Sequence, residues 1–171
     1  MSGFQSEVRL QQTTGIVGEF AEITGAERAF SAITQSADAS SNVFGRAFTH
    51  VSGEDDGVQA GGAGVFAGIL ISPKEHALLG TADGTLEASL TIPNNIDATF
   101  SDMGIIYVEL DAGASIGQSI GYRTTTDATA GELVVVADPE ALPADVALVP
   151  NTKVVRNNTT TAGLAIIQLT N

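Results

Sequence analysis

Ile105-Ile106-Tyr107-Val108-Glu109-Leu110 is the run of residues that most clearly indicates the fold. It is short, rich in β-branched side chains and almost wholly apolar, which favours a strand. Such a strand is expected to be buried on both faces or to pack against a partner. In contrast, Leu86-Glu87-Ala88-Ser89-Leu90-Thr91-Ile92 alternates apolar and polar residues, so its strand should have one face in solvent. Turn-forming residues follow both runs, at Asp111–Ala114 and at Pro93-Asn94-Asn95.

Further runs of this kind lie on either side and are separated by segments rich in glycine, proline and polar residues. They are Val43–Val51, Val65–Ile71, Ser119–Thr124, Leu133–Ala137, Thr152–Asn157 and Leu164–Leu169. Many short strands separated by turn signals predict an all-β fold, a compact barrel or sandwich of short antiparallel strands with little helix. Asp83-Gly84 is expected to form a hairpin turn, and residues 73–79 one short helical turn.

The first 42 residues differ in sequence pattern from the rest of the chain. We therefore predict two regions, an extended N-terminal arm or loop region over 1–42 and a β-rich domain over 43–171. Within the first region, Glu22–Ile33 could form a short helix, although Gly25 weakens that expectation. Two interpretations of residues 1–42 remain open, an arm lying on a neighbouring subunit and a frayed terminus.

Composition and charge exclude several classes of function. The 171 residues include no cysteine, which rules out disulfides, thiolate metal sites and cysteine nucleophiles. Seven basic residues face twenty acidic ones, for a formal charge of −13, so binding to nucleic acid or to an anionic membrane is not expected. No run of 18 apolar residues and no signal peptide are present, and synthesis in a cytoplasm is therefore expected.

Motifs that could hold a cofactor, a metal or a catalytic group are weak. Gly61–Gly68 includes a formal G-x-G-x-x-A match, but a loop precedes it and a β-branched run follows it, so a glycine-rich loop entering a strand is the better interpretation. Glu54-Asp55-Asp56 lacks the spacing of a calcium loop and is expected to be a solvated acidic loop. His50 and His76 lie in no catalytic motif. We therefore predict no enzymatic activity and no catalytic, cofactor or metal site.

Three stretches together resemble a known family. They are Asn42–Thr49, Ala60–Glu75 and Leu148–Arg156, the last running on to Gly163–Asn171. They are similar to the structural cement, or capsid decoration, proteins of tailed phages and prophages. Gly15–Glu19 and Phe100–Ile106 fit the same family in the same order, so the resemblance spans nearly the whole chain.

The resemblance implies a structural protein that binds the outer surface of an HK97-like icosahedral capsid and stabilises capsomer junctions. Its expected partners are the phage major capsid protein and itself, as a homotrimer, with no nucleic acid and no membrane. Its expected location is the capsid exterior of the virion after synthesis in the bacterial host. We predict that self-association or capsid contact involves apolar residues, with these candidates: Val8, Leu10, Ile16, Phe20, Phe44, Phe48 and Phe66.

Two other functions fit the composition less well. One is a minor structural protein of the virion head or tail, which the copy number per virion would distinguish. The other is a carbohydrate-binding β-sandwich on the virion, which would need exposed aromatic rings from a chain that has seven Phe, two Tyr and no Trp. A virion-associated glycan hydrolase, with two carboxylates in a cleft, is a third and weaker interpretation.

Overall fold

The computed structural model describes residues 15–73, 91–157 and 161–170, and it confirms the all-β prediction. In these ranges the strands are β1 Phe20–Glu22, β2 Arg28–Thr34, β3 Ala47–His50, β4 Gly57–Ala60, β5 Phe66–Leu70, β6 Asp97–Leu110, β7 Ile120–Arg123, β8 Leu133–Val135, β9 Val146–Leu148, β10 Thr152–Asn157 and β11 Gly163–Leu169. A 3-10 turn, Ala39–Ser41, lies between β2 and β3. None of the helical structure in the described ranges is long and apolar enough to cross a membrane.

Five strands close into a small barrel. Around its wall β6 pairs with β2, β2 with β4, β4 with β3, β3 with β5, and β5 again with β6. Aromatic rings fill its interior, with the centroid of Phe48 5.0 Å from that of Phe100, which lies 5.9 Å from Phe30. Phe48 and Phe100 are both 0% exposed, so the barrel buries large rings among small side chains such as Ala32, Ala60 and Ala98.

The second half of β6 belongs to a two-layer sandwich. One layer consists of β1, β6, β11 and β10, and the other of β8, β7 and β9. Aliphatic side chains fill the space between the layers, among them Ile106, Val108, Ile120 and Ile167. Because β6 contributes to both the barrel and the sandwich, the two cores share one continuous strand of 14 residues.

Gly104 lies where β6 passes from the barrel into the sandwich. Its φ is +145°, a conformation that other residues adopt only at a high energetic cost. A Cβ at this position would lie 2.7 Å from a ring carbon of Phe20. Just before it, the hydroxyl of Ser101 donates to the carbonyls of Arg28 and Met103, both at 2.9 Å, where the register with β2 shifts. β6 keeps a paired strand on each side of this shift, β2 at Met103 and β11 at Gly104.

A buried network of polar side chains closes one end of the barrel. The Ser36 hydroxyl donates to Oδ1 of Asn42 at 2.5 Å, and Nδ2 of Asn42 donates to Oδ1 of Asn94 at 2.8 Å. Nδ2 of Asn94 in turn donates to the Ser36 carbonyl at 2.7 Å, and the Ala60 amide donates to the Ser36 hydroxyl at 2.8 Å. Asn42 is 0% exposed, so its hydrogen-bonding groups are satisfied within the protein.

The loop between β7 and β8 joins the sandwich to the barrel through backbone contacts. The Ala47 amide donates to the Gly131 carbonyl at 2.9 Å, and the Gly61 amide donates to the Ala47 carbonyl at 3.0 Å. Gly131 has a φ of +73°, and a Cβ on it would lie 2.3 Å from the Ala47 carbonyl oxygen. Only glycine permits so close an approach at position 131.

Several details differ from the predictions made from sequence. The short helix over Glu22–Ile33 is wrong, because β2 begins at Arg28 and pairs along β6. The strands are not all short or antiparallel, since β6 has 14 residues and β2 pairs with β4 in parallel. β1 and β2 lie inside the region 1–42 that was predicted to be an arm. Residues 74–90 lie outside the described residues, and with them Asp83-Gly84 and most of the predicted helical turn and strand.

Candidate interaction surfaces

The candidate catalytic and metal-binding groups do not form a site in the described part of the chain. His50 ends β3 with its side chain exposed, and Glu54, Asp55 and Asp56 are exposed in the following loop. The glycine-rich segment leads into β5 rather than into a helix N-terminus, so the dinucleotide interpretation lacks its structural context. Over residues 15–73, 91–157 and 161–170, no three acidic or histidine side chains come close enough to hold a metal ion.

An ion-pair network links the barrel to the sandwich beside the loop between β7 and β8. Nη2 of Arg46 lies 2.8 Å from Oε1 of Glu132, and Nε of Arg123 lies 3.6 Å from the other oxygen of the same carboxylate. Nη1 of Arg123 also donates to Asp145 at 3.0 Å. Nη1 of Arg46 donates to the Ala128 carbonyl at 2.6 Å, so this guanidinium binds both a carboxylate and the loop backbone.

The electrostatics of Arg46 are those of a structural cation. Burial lowers the pKa of its guanidinium, and the carboxylates of Glu132, Glu109 and Asp127 oppose that shift. An arginine with such partners keeps its charge at any physiological pH. We infer that Arg46 stabilises the contact between barrel and sandwich rather than taking part in proton transfer.

A cleft of about 290 Å³ lies next to this network. Its floor is apolar, and three carboxylates and one guanidinium surround it. The main lining residues are Val17, Phe44, Leu110 and Leu133 on the floor and Arg46, Glu109, Asp111 and Glu132 at the rim. Oδ1 of Asp111 accepts a hydrogen bond from the Val135 amide at 3.0 Å, so part of this rim helps to hold β8 in place. The cleft is therefore bordered by groups with structural roles.

The predicted contact residues fall into three groups. Val8 and Leu10 lie outside the described residues. Phe44 and Phe48 are 2% and 0% exposed inside the barrel, which leaves them no surface for contact with a second chain.

The remaining three predicted contact residues retain some accessible surface. Ile16 is 43% exposed. Phe20 and Phe66 are half-buried against the sandwich core, and the Phe66 ring centroid lies 6.1 Å from that of Tyr122. These three are the predicted contacts that the described structure leaves accessible to a partner.

Three strongly exposed aliphatic side chains in loops are not among the predicted contact residues. Ile23, Val65 and Ile116 are 88%, 76% and 76% exposed, and each lies in a loop between strands. Val65 borders a second cleft of about 250 Å³ that Phe66, Pro150 and Asn151 also line. An isolated exposed aliphatic residue is common on protein surfaces, but Val65 beside the half-buried Phe66 forms a larger apolar surface. The sequence predicts a strand that begins at Val65, whereas β5 begins at Phe66, and the strand pattern alone carries no signal that Val65 is exposed.

Comparison with known proteins identifies the family. The family model described as "Structural cement protein (E217 gp24/Pam3 gp6)" matches residues 4–170. A chain in a solved structure entitled "The capsid of Myoviridae Phage XM1" has the same fold, with a TM-score of 0.59, 98% of each chain covered and 14% sequence identity. No curated protein sequence matches the chain. Because the family model spans nearly the whole sequence, the chain belongs to the phage structural cement protein family, which gives it a structural role in the capsid.

Proposed function

We propose that the protein binds the outer surface of an HK97-like icosahedral capsid as a homotrimer and stabilises the junctions between capsomers. The observation that supports this most strongly is the match of residues 4–170 to the cement family. The major capsid protein is then its main partner, and the exterior of the virion is its location. No catalytic step enters this function, because the family is a structural one.

The surface of the chain is compatible with this role. Ile16, Val65 and Phe66 provide accessible apolar surface, which a stable protein interface places at its centre. The net charge of −13 disfavours contact with packaged nucleic acid and keeps unassembled copies soluble. We expect the apolar surface around Val65 and Phe66 to contact either the coat protein or a second copy of the chain.

The described surface argues against the carbohydrate-binding alternative. In residues 15–73, 91–157 and 161–170 every aromatic side chain is buried or half-buried, and Phe48, Phe100 and Tyr122 belong to the two cores. A sugar-binding groove presents exposed rings on which the pyranose can stack. The described rings are instead buried or half-buried within the protein.

Co-sedimentation with mature, undecorated capsids tests the proposal. We expect saturable binding at a fixed ratio to the coat protein, together with a higher melting temperature of the capsid. A ratio of three copies per three-fold or quasi-three-fold position would support the trimer, and a few copies per virion would instead indicate a minor head or tail component. Failure of the folded protein to co-sediment would contradict capsid binding.

A Val65→Asp variant locates the contact surface. Because Val65 is 76% exposed, the substitution is expected to leave the melting temperature of the free protein within a few degrees. An equally exposed aliphatic residue at a different loop, Ile116, provides the matched control as Ile116→Asp. Loss of capsid binding in the first variant alone would place the interface beside Phe66, and unchanged binding in both would exclude that surface.

A further inference from the structure

The cleft beside Arg46 lies between two strands that do not pair with each other, the end of β6 and the strand β8. Hydrogen bonds at Tyr107 show which edge of β6 borders it. The Gly18 amide donates to the Tyr107 carbonyl at 2.8 Å, and the Tyr107 amide donates to the Glu19 carbonyl at 2.9 Å. Both backbone groups of Tyr107 therefore point away from β11. Because this direction alternates along a strand, the N–H and C=O of Glu109 point the same way.

Among the described residues, no segment pairs with β6 at Glu109 on that side. The segment that pairs at Tyr107 turns away at Ile16, whose carbonyl accepts a hydrogen bond from the Glu19 amide at 3.0 Å. Val17 and Glu109 both line the cleft. The cleft is therefore bordered by a strand edge whose N–H and C=O are available to a further extended segment.

The edge of β8 on the cleft side is only partly occupied. The Arg123 amide donates to the Glu132 carbonyl at 3.0 Å, which fixes the side of this chain segment that pairs with β7. On the opposite side, the Val135 amide donates to Oδ1 of Asp111 at 3.0 Å. Between these positions lies Leu133, whose backbone groups face away from β7 by the same alternation and which also lines the cleft. Two strand edges therefore border the cleft.

The charges around the cleft are unbalanced. Arg46 and Arg123 both contact the Glu132 carboxylate, and Arg123 contacts a second carboxylate as well. Glu109 and Asp111 are exposed at the rim. In the part of the chain that the structure describes, no lysine or arginine lies within salt-bridge distance of either carboxylate. The cleft therefore carries excess negative charge over an apolar floor.

Size, charge and hydrogen-bonding groups indicate which kind of molecule can bind. At about 290 Å³ the cleft is just below the range of most ligand pockets, which measure roughly 300–1,000 Å³, so it fits one long side chain better than a large cofactor. Lysine and arginine combine an aliphatic stem with a terminal cation, so the stem suits the apolar floor and the cation suits the rim. A peptide segment also supplies the alternating N–H and C=O groups that pair with a strand edge.

A second copy of this chain is a poor source of such a segment. The chain has seven basic and twenty acidic residues. Four of its arginines already form ion pairs with carboxylates of their own chain: Arg28, Arg46, Arg123 and Arg156. Within the described ranges this leaves Lys153 as the basic side chain outside an ion pair. Charge complementarity therefore points to a different protein that presents a basic segment.

We propose that the cleft between β6 and β8 binds an extended basic segment of the major capsid protein. The segment pairs with the backbone of Glu109, and one of its lysine or arginine side chains lies over the apolar floor with its cation between Glu109 and Asp111. The inference rests on the proposed binding to the capsid and adds the chemistry of one contact to it. This cleft shares no lining residue with the cleft beside Val65, so the two surfaces can be tested separately.

Charge reversal at the rim tests the proposal. Glu109 is exposed, so Glu109→Lys is expected to leave the melting temperature of the free protein within a few degrees. Asp55→Lys changes the net charge equally in an exposed loop outside the cleft and is the matched control. We expect Glu109→Lys to weaken co-sedimentation with undecorated capsids by roughly tenfold, because a like charge then faces the bound cation, and Asp55→Lys to leave it within about twofold.

Three results of this experiment would contradict the proposal. Glu109→Lys could bind capsids as tightly as the unmodified protein, or both variants could be weakened equally, which would indicate a general effect of net charge. Weaker self-association of Glu109→Lys in sedimentation velocity, with capsid binding unchanged, would assign the cleft to a second copy of the chain.

A peptide probe separates this inference from the proposed function, because it needs no capsid. The acetylated peptide Thr-Val-Arg-Val-Thr is titrated into isotopically labelled protein, with Thr-Val-Glu-Val-Thr as the control. We expect the arginine peptide alone to shift the amide resonances of Glu109 and Leu133. Absence of these shifts, or equal shifts with the control peptide, would overturn the proposal even if the protein decorated capsids. Peptide binding without capsid binding would overturn the coat protein as the partner and leave the cleft as a site for basic segments.

Discussion

The barrel and the sandwich share β6 but are stabilised in different ways. The barrel is closed, and it surrounds the rings of Phe48 and Phe100 with alanine side chains and a polar network at one end. The sandwich is open at its edges, and aliphatic side chains from strands close in sequence fill it. A closed barrel wall cannot easily relax into the space left by a removed ring, whereas the two sheet layers of the sandwich can move closer together. We therefore expect the barrel core to respond to substitution as the more rigid one and the sandwich core as the more adaptable one.

The largest expected effect comes from removing a ring inside the barrel. Phe100→Ala should lower the free energy of unfolding by about 4 kcal/mol, because the side chain is 0% exposed and the closed wall leaves a cavity. Ile167→Ala is the comparison in the sandwich and should cost about 3 kcal/mol, since the layers can relax. Urea unfolding of both variants measures the difference. A larger loss of unfolding free energy for Ile167→Ala would contradict the expected difference between a rigid and an adaptable core.

A smaller effect is expected at the junction of the two cores. Gly104→Ala should cost about 2 kcal/mol, because it combines an unfavourable φ of +145° with a Cβ 2.7 Å from the Phe20 ring. Gly25→Ala is the matched control, since Gly25 also has a positive φ, +82°, but has no atom within 4 Å of an added Cβ. We expect about 1 kcal/mol for the control. Equal losses in thermal unfolding would show that the passage of β6 between the cores tolerates a side chain.

The smallest effect concerns the loop that joins the two regions, and it depends on pH. Hydrogen bonds from the Thr129 hydroxyl and amide, at 2.6 and 2.9 Å, lower the pKa of Asp127 below its ordinary value of 3.8. The stabilisation is thus fully present above that ordinary value and is lost as the pH falls through the lowered pKa of the folded state. Asp127→Asn should reduce stability slightly at neutral pH and flatten the fall of melting temperature below pH 4.

Melting temperatures measured between pH 2 and pH 7 provide the comparison for this loop. Asp55→Asn removes a carboxylate from an exposed loop and is the control, for which we expect the wild-type profile. If Asp127→Asn retained the full acid dependence, the Asp127 carboxylate would not be a source of that dependence.

The same contrast explains what could be predicted from the sequence. Strands of the sandwich, such as residues 152–157 and 164–169, are aliphatic runs bounded by turn residues, and their predicted bounds agree with β10 and β11 to within one residue. β4 was missed because Gly-Val-Gln-Ala has little strand propensity, and β2 was missed because the sequence predicts a short helix over Glu22–Ile33. Both strands lie between two neighbouring strands, on which their conformation depends. Long-range pairing of this kind leaves little periodic signal in a sequence.

Contact surfaces were harder to predict than strands. Phe44 and Phe48 resemble interface aromatics in composition, but the closure of the barrel places them inside. Val65 is not among the predicted contacts, because the sequence places it at the start of the apolar strand Val65–Ile71. A surface is defined by the residues that remain after the core has formed, so its prediction requires the topology first. Family membership, in contrast, followed from the order of several motifs along the whole chain.

The continuity of β6 has a mechanical consequence. Hydrogen bonds of an antiparallel ladder run perpendicular to the strands, so a pull along β6 loads its seven residue pairs with β11 simultaneously, in shear. The other half of the same strand is held between β2 and β5. A tensile load applied to the barrel is thereby distributed over the sandwich as well, and neither core can yield by peeling open one pair at a time.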